Sequence, residues 1–169
     1  NKDYLSMQIK LEGDKDIAIQ VYHSSDLKFD EGHVVSNVFE ENQRKVARYN
    51  FNINDNYIRI DFGGEPSDIV LYNLTFSALS EKVEIKPQDL PQFEMTNQID
   101  KFEVSESCVL VVANGNDPFV VFDMSKCSEY NELINGLKKK IIFGTNNNIY
   151  NSIIEFIEKT NNLNSSNHP

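Results

Sequence analysis

Residues 46–79, VARYNFNINDNYIRIDFGGEPSDIVLYNLTFSAL, constrain the fold more than any other part of this chain. Three runs of β-branched, apolar and aromatic residues are cut by two turn clusters, NINDN at 52–56 and GGEPS at 63–67. Short runs of this composition between Asn- and Gly/Pro-rich breaks read as antiparallel strands at 46–53, 57–62 and 68–79. The third is long enough to bend near Asn73. None of the usual catalytic parts falls in this stretch.

The same grammar extends on both sides. Leu5, Met7, Ile9 and Leu11 alternate up to Gly13, and Ile17, Ile19 and Val21 resume the alternation, which predicts two half-buried strands joined by a short acidic turn. The polar stretch 24–42 reads as a structured loop with one short strand. Segments 82–85, 92–95 and 102–104 are further short strands. Runs 108–113 and 119–124 flank NGNDP, the clearest hairpin signal in the chain. About nine or ten short strands favour a sandwich over an α/β design.

After residue 125 the period changes. Tyr130, Leu133, Ile134, Leu137 and Ile141 recur at helical spacing, with Ser128 placed as N-cap and Glu129 in the first turn. Lys138, Lys139 and Lys140 suit the C-terminal end of the dipole, and Gly144 is the expected stop. Beyond the Asn-rich connector 146–148, Ile149, Ile153, Phe156 and Ile157 form a second helical stripe. The expected architecture is mainly β: an antiparallel sandwich or jelly roll over 1–125 and a helical hairpin over 126–162 packed on it. A disordered tail follows at 163–169, with polar fraying from Asn161.

A net charge of −10 argues against a nucleic-acid partner, because neutralising phosphates needs a basic surface. The acidity sits in residues 1–125, with 11 Lys/Arg against 22 Asp/Glu; residues 126–169 carry 5 against 4. The longest wholly apolar run, 108–113, is far too short to span a bilayer. Beginning at Asn rather than Met, the chain reads as a processed or excised piece of a longer protein. Two cysteines, Cys108 and Cys127, are too few for a disulfide framework or a zinc site. One bridge between them is open if the 108–124 hairpin forms, as are two free thiols.

Candidate chemistry is sparse. No Gly-x-Ser-x-Gly elbow is present, and neither cysteine has a basic neighbour apart from Lys126. His23, Asp26, Asp30, Glu31 and His33 would form a metal or acid/base cluster only if the loop gathers them; His168 is in the tail. Arg59 and Asp61, two apart in one strand, read as an ion pair on one sheet face, with paired-carboxylate hydrolysis as the rival. No cofactor is expected. The Asx-rich turns 14–16, 52–56 and 114–117 supply the hard oxygens that a structural calcium would take, although Asx turns arise for backbone reasons alone. Sequons at Asn73 and Asn164 carry no argument. Tyr22, Phe29, Tyr49 and Tyr57 are the aromatics placed to reach a loop-side face, with Asp26 and Asp30 beside them as polar candidates.

The order of the DLKFDEG loop, the strand NYIRIDF, the GGEP turn and the strand IVLYNLTF resembles the extracytoplasmic β-sandwich domains of bacterial multi-pass membrane proteins, glycosyltransferase-like and cell-envelope proteins among them. The likeness covers residues 5–85 and lies in positions that build the sheet, so it carries over no catalytic residue. It implies a galactose-binding or jelly-roll-like domain at the cell surface or secreted, with membrane segments of the same polypeptide as neighbours. The expected function is non-catalytic: binding or spacing, with glycan or cell-envelope material as ligand. The alternatives are a structural or protein-interaction module and a sandwich glycosidase or lyase.

Overall fold

The computed structural model describes residues 4–145 and 147–166. His168 lies outside them, as do the side chains of His33 and Ile149. Among the described residues, eleven strands form two antiparallel sheets. They are β1 (Tyr4–Gly13), β2 (Ile17–Ser24), β3 (Val34–Phe39), β4 (Lys45–Asn52), β5 (Tyr57–Phe62), β6 (Ser67–Ala78), β7 (Glu81–Ile85), β8 (Phe93–Asn97), β9 (Ile99–Val104), β10 (Val109–Ala113) and β11 (Phe119–Asp123). Sheet one runs β4-β1-β6-β10-β9, and β7 also pairs with β6; sheet two runs β3-β2-β5-β11-β8. The fold is the expected antiparallel sandwich followed by two helices, α1 (Ser128–Thr145) and α2 (Asn147–Ser166).

The strands are where periodicity places them, but their pairing is not. Read in parallel, the two orders set sequence neighbours opposite one another: β4 with β3, β1 with β2, β6 with β5, β10 with β11, β9 with β8. The expected hairpins at 5–21 and 108–124 are therefore not ladders. β1 is already paired on both edges by β4 and β6, and β10 by β6 and β9, so neither has an edge for its successor. Each connection instead crosses from one sheet to the other. β6 serves two partners in turn, β10 along Ser67–Leu71 and β7 along Leu74–Ala78. The bend expected near Asn73 is a bulge: Lys10 pairs with Asn73 and Leu11 with Leu71, leaving Tyr72 as the extra residue.

Period two puts one row of each strand between the sheets. Leu5, Met7, Ile9 and Leu11 of β1 are fully buried, as are Ile19, Ile58, Phe62, Phe76, Val111 and Phe122. Each contributes roughly 1.5–3 kcal/mol from leaving water. Tyr49 belongs to this row too. Its hydroxyl donates to the Ile19 carbonyl across the sandwich at 3.0 Å, and burial pushes its pKa up to about 12. This corrects the expectation that Tyr49 reaches a binding face: alternation along β4 directs it inward with Ala47 and Phe51.

This topology also corrects the possible bridge, since Cys108 and Cys127 are free thiols. Cys108 leads into β10 in sheet one, whereas Cys127 follows β11 in sheet two. Packed sheets lie about 10 Å apart, and a disulfide needs Cα atoms within about 7 Å. Burial pushes the Cys127 thiol up, and it donates to Glu129 Oε2 at 3.2 Å.

The chain divides into compact units within α1, after Ile134. Tyr130, Leu133 and Ile134 belong with the sandwich, where the Tyr130 ring meets Phe76 edge-on at 5.0 Å. The first α1 bond is Asn131 N–H to the Cys127 carbonyl, so Cys127 and not Ser128 stands at the cap. Gly144 does not end α1, and the polar residues 161–166 continue α2 instead of fraying. Helix propagation is cooperative, and an interior Asn or Gly costs no more than about 1 kcal/mol. Along α2, Ile153, Phe156, Ile157 and Leu163 are exposed, Phe156 at 70%. No helix among the described residues is long and apolar enough to cross a membrane.

Candidate functional site

The outward row of sheet two carries the polar chemistry. β2 presents Gln20 and Tyr22, β5 presents Tyr57, Arg59 and Asp61, and β11 presents Phe119 and Val121. Register aligns them: Tyr22 lies opposite Arg59, while Gln20 and Phe119 flank Asp61 from either side. Arg59 donates to Asp61 through two parallel bonds, Nε to Oδ1 and Nη2 to Oδ2, each 2.7 Å. Its guanidinium lies over the Tyr22 ring at 4.6 Å and the Phe119 ring at 4.2 Å. A planar cation fixed by a fork and by cation–π contacts to two rings has little freedom left.

The two partners of this pair are pulled in different senses. Burial pushes the Asp61 carboxyl above its usual value, and the Arg59 hydrogen bonds and charge draw it back only in part. Arg59 is itself held higher, chiefly by hydrogen bonding to Asp61. A guanidinium does not surrender its proton, and the fork matches a carboxylate, so the pair is ionised at neutral pH.

Beside Asp61 a cleft of about 540 Å³ opens at the end of the sheet. Ala18, Gln20 and Asp61 line it from the sheet face, and three inter-sheet turns contribute Lys15 and Asp16, Gly63 to Glu65, and Asn116 and Asp117. The turns brace one another. The Lys15 ammonium donates to the Pro66 carbonyl. Asp16 Oδ1 accepts from Glu41 N at 2.8 Å, Asp14 Oδ1 from Asp68 N at 2.9 Å, and Gln98 Oε1 from Asp117 N at 2.6 Å. Gly63 has φ +79°, and a Cβ there would stand 2.7 Å from Ile17 Cγ1. Gly63→Ala is therefore expected to cost about 1–3 kcal/mol through a strained dihedral and a displaced Ile17. Urea unfolding reads it directly, and an unchanged midpoint would refute the steric account.

The expected site residues separate by face. Tyr22 and Phe29 do come together, ring edge to ring at 6.5 Å, and the Tyr22 hydroxyl donates to Glu31 Oε1 at 2.9 Å. Burial, then that bond, pushes the Tyr22 phenol up. Asp26 accepts from the Ser24 hydroxyl at 2.8 Å and from Lys28 N at 3.1 Å; the Ser24 bond leads in holding its carboxyl low. Asp30 accepts from Gly32 N at 2.8 Å and caps a single 3₁₀ turn. Both serve the loop backbone. Tyr57 shares the outer face but sits opposite Ser24 and Asp123, at the end of β5 away from the cleft.

His23 points to the other side of β2. It stacks on Phe51 at 5.3 Å and meets Asp55 at 2.6 Å, so the sheet itself parts it from Glu31. The loop does not gather the His23, Asp26, Asp30 and Glu31 cluster. The Asx turns spend side-chain oxygens on neighbouring amides, as Asn52 Oδ1 does with Asn54 N at 2.9 Å. Among the described residues no three His, Cys, Asp or Glu side chains converge to hold a metal. The residues that sequence reasoning passes over are Gln20, Ser67 and Phe119, and Asn116 and Asp117 enter it only as oxygens of an Asx-rich turn. Their signal is weak: polar residues in a strand or turn, whose convergence depends on sheet pairing. Compared with protein-family models, curated proteins and solved structures, the chain matches none.

Proposed function

We propose that this chain is a non-catalytic binding domain of a longer extracytoplasmic protein, and that it recognises glycan or cell-envelope material at the cleft beside Asp61. One observation carries the reading: Gln20 and Asn116 line the cleft, next to a rigid stack of Tyr22, Arg59 and Phe119. Planar amides and carboxylates can donate to and accept from vicinal hydroxyls, and a preorganised site loses little entropy on binding. The resemblance to envelope sandwich domains points the same way.

An oligosaccharide array on the whole chain, followed by calorimetry, tests this. Gln20→Ala should weaken the best ligand about 5–10-fold, the loss of a single hydrogen bond, without moving the urea midpoint. No binding across cell-wall and common host sugars would overturn the proposal, and hydrolysis of a bound oligosaccharide would replace it with the glycosidase reading. The exposed stripe of α2 favours a second reading, a protein-interaction module.

A further inference from the structure

Among the described strands, β3, β4, β7, β8 and β9 pair along one edge only, so each carries a row of backbone groups that the sheets leave open. Proteins ordinarily blunt such edges with charged side chains, proline or bulges. Four of the five carry charge: Lys45 and Arg48 on β4, Glu81, Lys82 and Glu84 on β7, Glu94 on β8, and Asp100, Lys101 and Glu103 on β9. β3, VVSNVF, is different. It has no charge, proline or glycine, and its ladder with β2 runs from Val34 to Phe39 without a register shift. Val38 is 58% exposed, and Val35 is exposed as well.

The edge is also held in place. Asn37 Nδ2 donates to the Arg48 carbonyl of β4 at 3.4 Å, and Lys45 Nζ donates to the Val38 carbonyl at 2.9 Å. An exposed ammonium exchanges such an acceptor with water readily, so Lys45 does not close the edge to an incoming amide. Both ends of β3 are acidic: Asp30 and Glu31 precede it, and Glu40 and Glu41 follow it. Lys28, Arg44 and Lys45 are the cations nearest in sequence; Arg44 is turned to Glu12 and Tyr72, and Lys45 to the Val38 carbonyl. Antiparallel pairing of β3 with its own copy would set the Glu31 end of one strand against the Glu40 end of the other, like charge on like. An extended segment with an uncharged centre and lysine or arginine at both ends meets the same edge with opposite charge.

We infer that the open edge of β3 is a docking site for an extended segment of another protein, which extends sheet two by one strand through main-chain bonds and sets basic residues at its two ends against Asp30, Glu31, Glu40 and Glu41. Strand addition takes its affinity from the backbone and its choice of partner from side chains, here from the charges that bracket an uncharged strand. The inference is independent of what the cleft beside Asp61 binds.

Fluorescence anisotropy on the whole chain compares three labelled peptides at about 20 mM salt. The first has three Thr-Val repeats between pairs of lysines, the second has the same centre between pairs of glutamates, and the third is the first with every central amide N-methylated. The lysine peptide should bind about 10-fold or more tighter than either of the others, and its advantage over the glutamate peptide should shrink at about 300 mM. Its addition should slow hydrogen exchange at amides within 34–39. Val38→Lys, at an exposed position, should weaken it about 10-fold without moving the urea midpoint. Where V38K moves the midpoint, S36K, also at an exposed position, gives the same comparison. No binding of the lysine peptide would overturn the inference. Equal affinity for the lysine and glutamate peptides would do the same, because the bracketing charges would then select nothing. Equal affinity for the N-methylated peptide would mean that an acidic surface attracts lysines without strand pairing, and would also overturn it. So would protection confined to segments other than β3, or binding unchanged by both lysine substitutions. A dimer of the chain alone with its 34–39 amides protected would overturn it as well, because a second copy would then be the occupant.

Discussion

Phe122→Ala is expected to lower stability by about 3–5 kcal/mol, the range for truncating a fully buried aromatic. Phe122 is wholly buried in β11 of sheet two, with Phe93 at 5.6 Å and Phe102 at 6.2 Å. Phe102 comes from β9 in sheet one, so the trio ties the two layers together at the β8/β9 side. Phe93 and Phe102 also line an apolar groove of about 410 Å³ with Leu90, Pro91 and Val104. That free space lets the site collapse in part, which places the loss toward the lower end of the range. A melting temperature lower by roughly 10 °C should accompany it. Phe156→Ala is the control, because a side chain 70% exposed should change stability by no more than about 0.5 kcal/mol. Equal losses from the two substitutions would mean that the aromatic trio does not hold the sheets together.

Arg59→Ala should be the second most damaging change, about 2–3 kcal/mol at neutral pH, because it strands a carboxylate that is 6% exposed. The sign of its pH dependence follows from Asp61. Burial already sets the folded-state pKa of that carboxyl above the unfolded value, with Arg59 as the main restraint. Removing the guanidinium raises it further. A raised carboxyl contributes stability below the unfolded pKa, about 3.9, and loses it as pH rises through the folded value. The deficit of Arg59→Ala relative to the parent should therefore be small near pH 4 and grow toward pH 7. Urea unfolding across that window decides it: a deficit independent of pH would mean that Asp61 is not the group left stranded. The paired substitution R59L/D61L should recover most of the loss, since replacing both ions leaves none unpaired. It should also abolish ligand binding, as the stack between Tyr22 and Phe119 disappears with it. Stability and recognition are thus separable at this pair.

Strand existence is a local matter, and alternation alone places β1, β2, β4, β5, β6, β10 and β11 close to where they lie. The same alternation puts Arg59 and Asp61 on one face, two residues apart, and the observed fork is what that spacing allows. The helical period after residue 125 is equally local, and both helices form there. Local signals fail for partners. NGNDP reads as a hairpin turn, but β10 and β11 part into different sheets because β6, β9, β5 and β8 take up their edges. That choice decides whether Cys108 can meet Cys127, and whether Tyr49 points into the core or outward.

The cleft belongs to the second kind of information. Gln20, Asp61, Ser67 and Asp117 come from four separate places in the chain and meet at one end of sheet two only after the strands are ordered. The sequence by itself determined a two-sheet sandwich with an acidic surface and two trailing helices, because periodicity and charge are properties of neighbouring residues. Only the tertiary structure decided which polar groups are satisfied and which line the cleft, because hydrogen-bond satisfaction is a property of pairs distant in the chain.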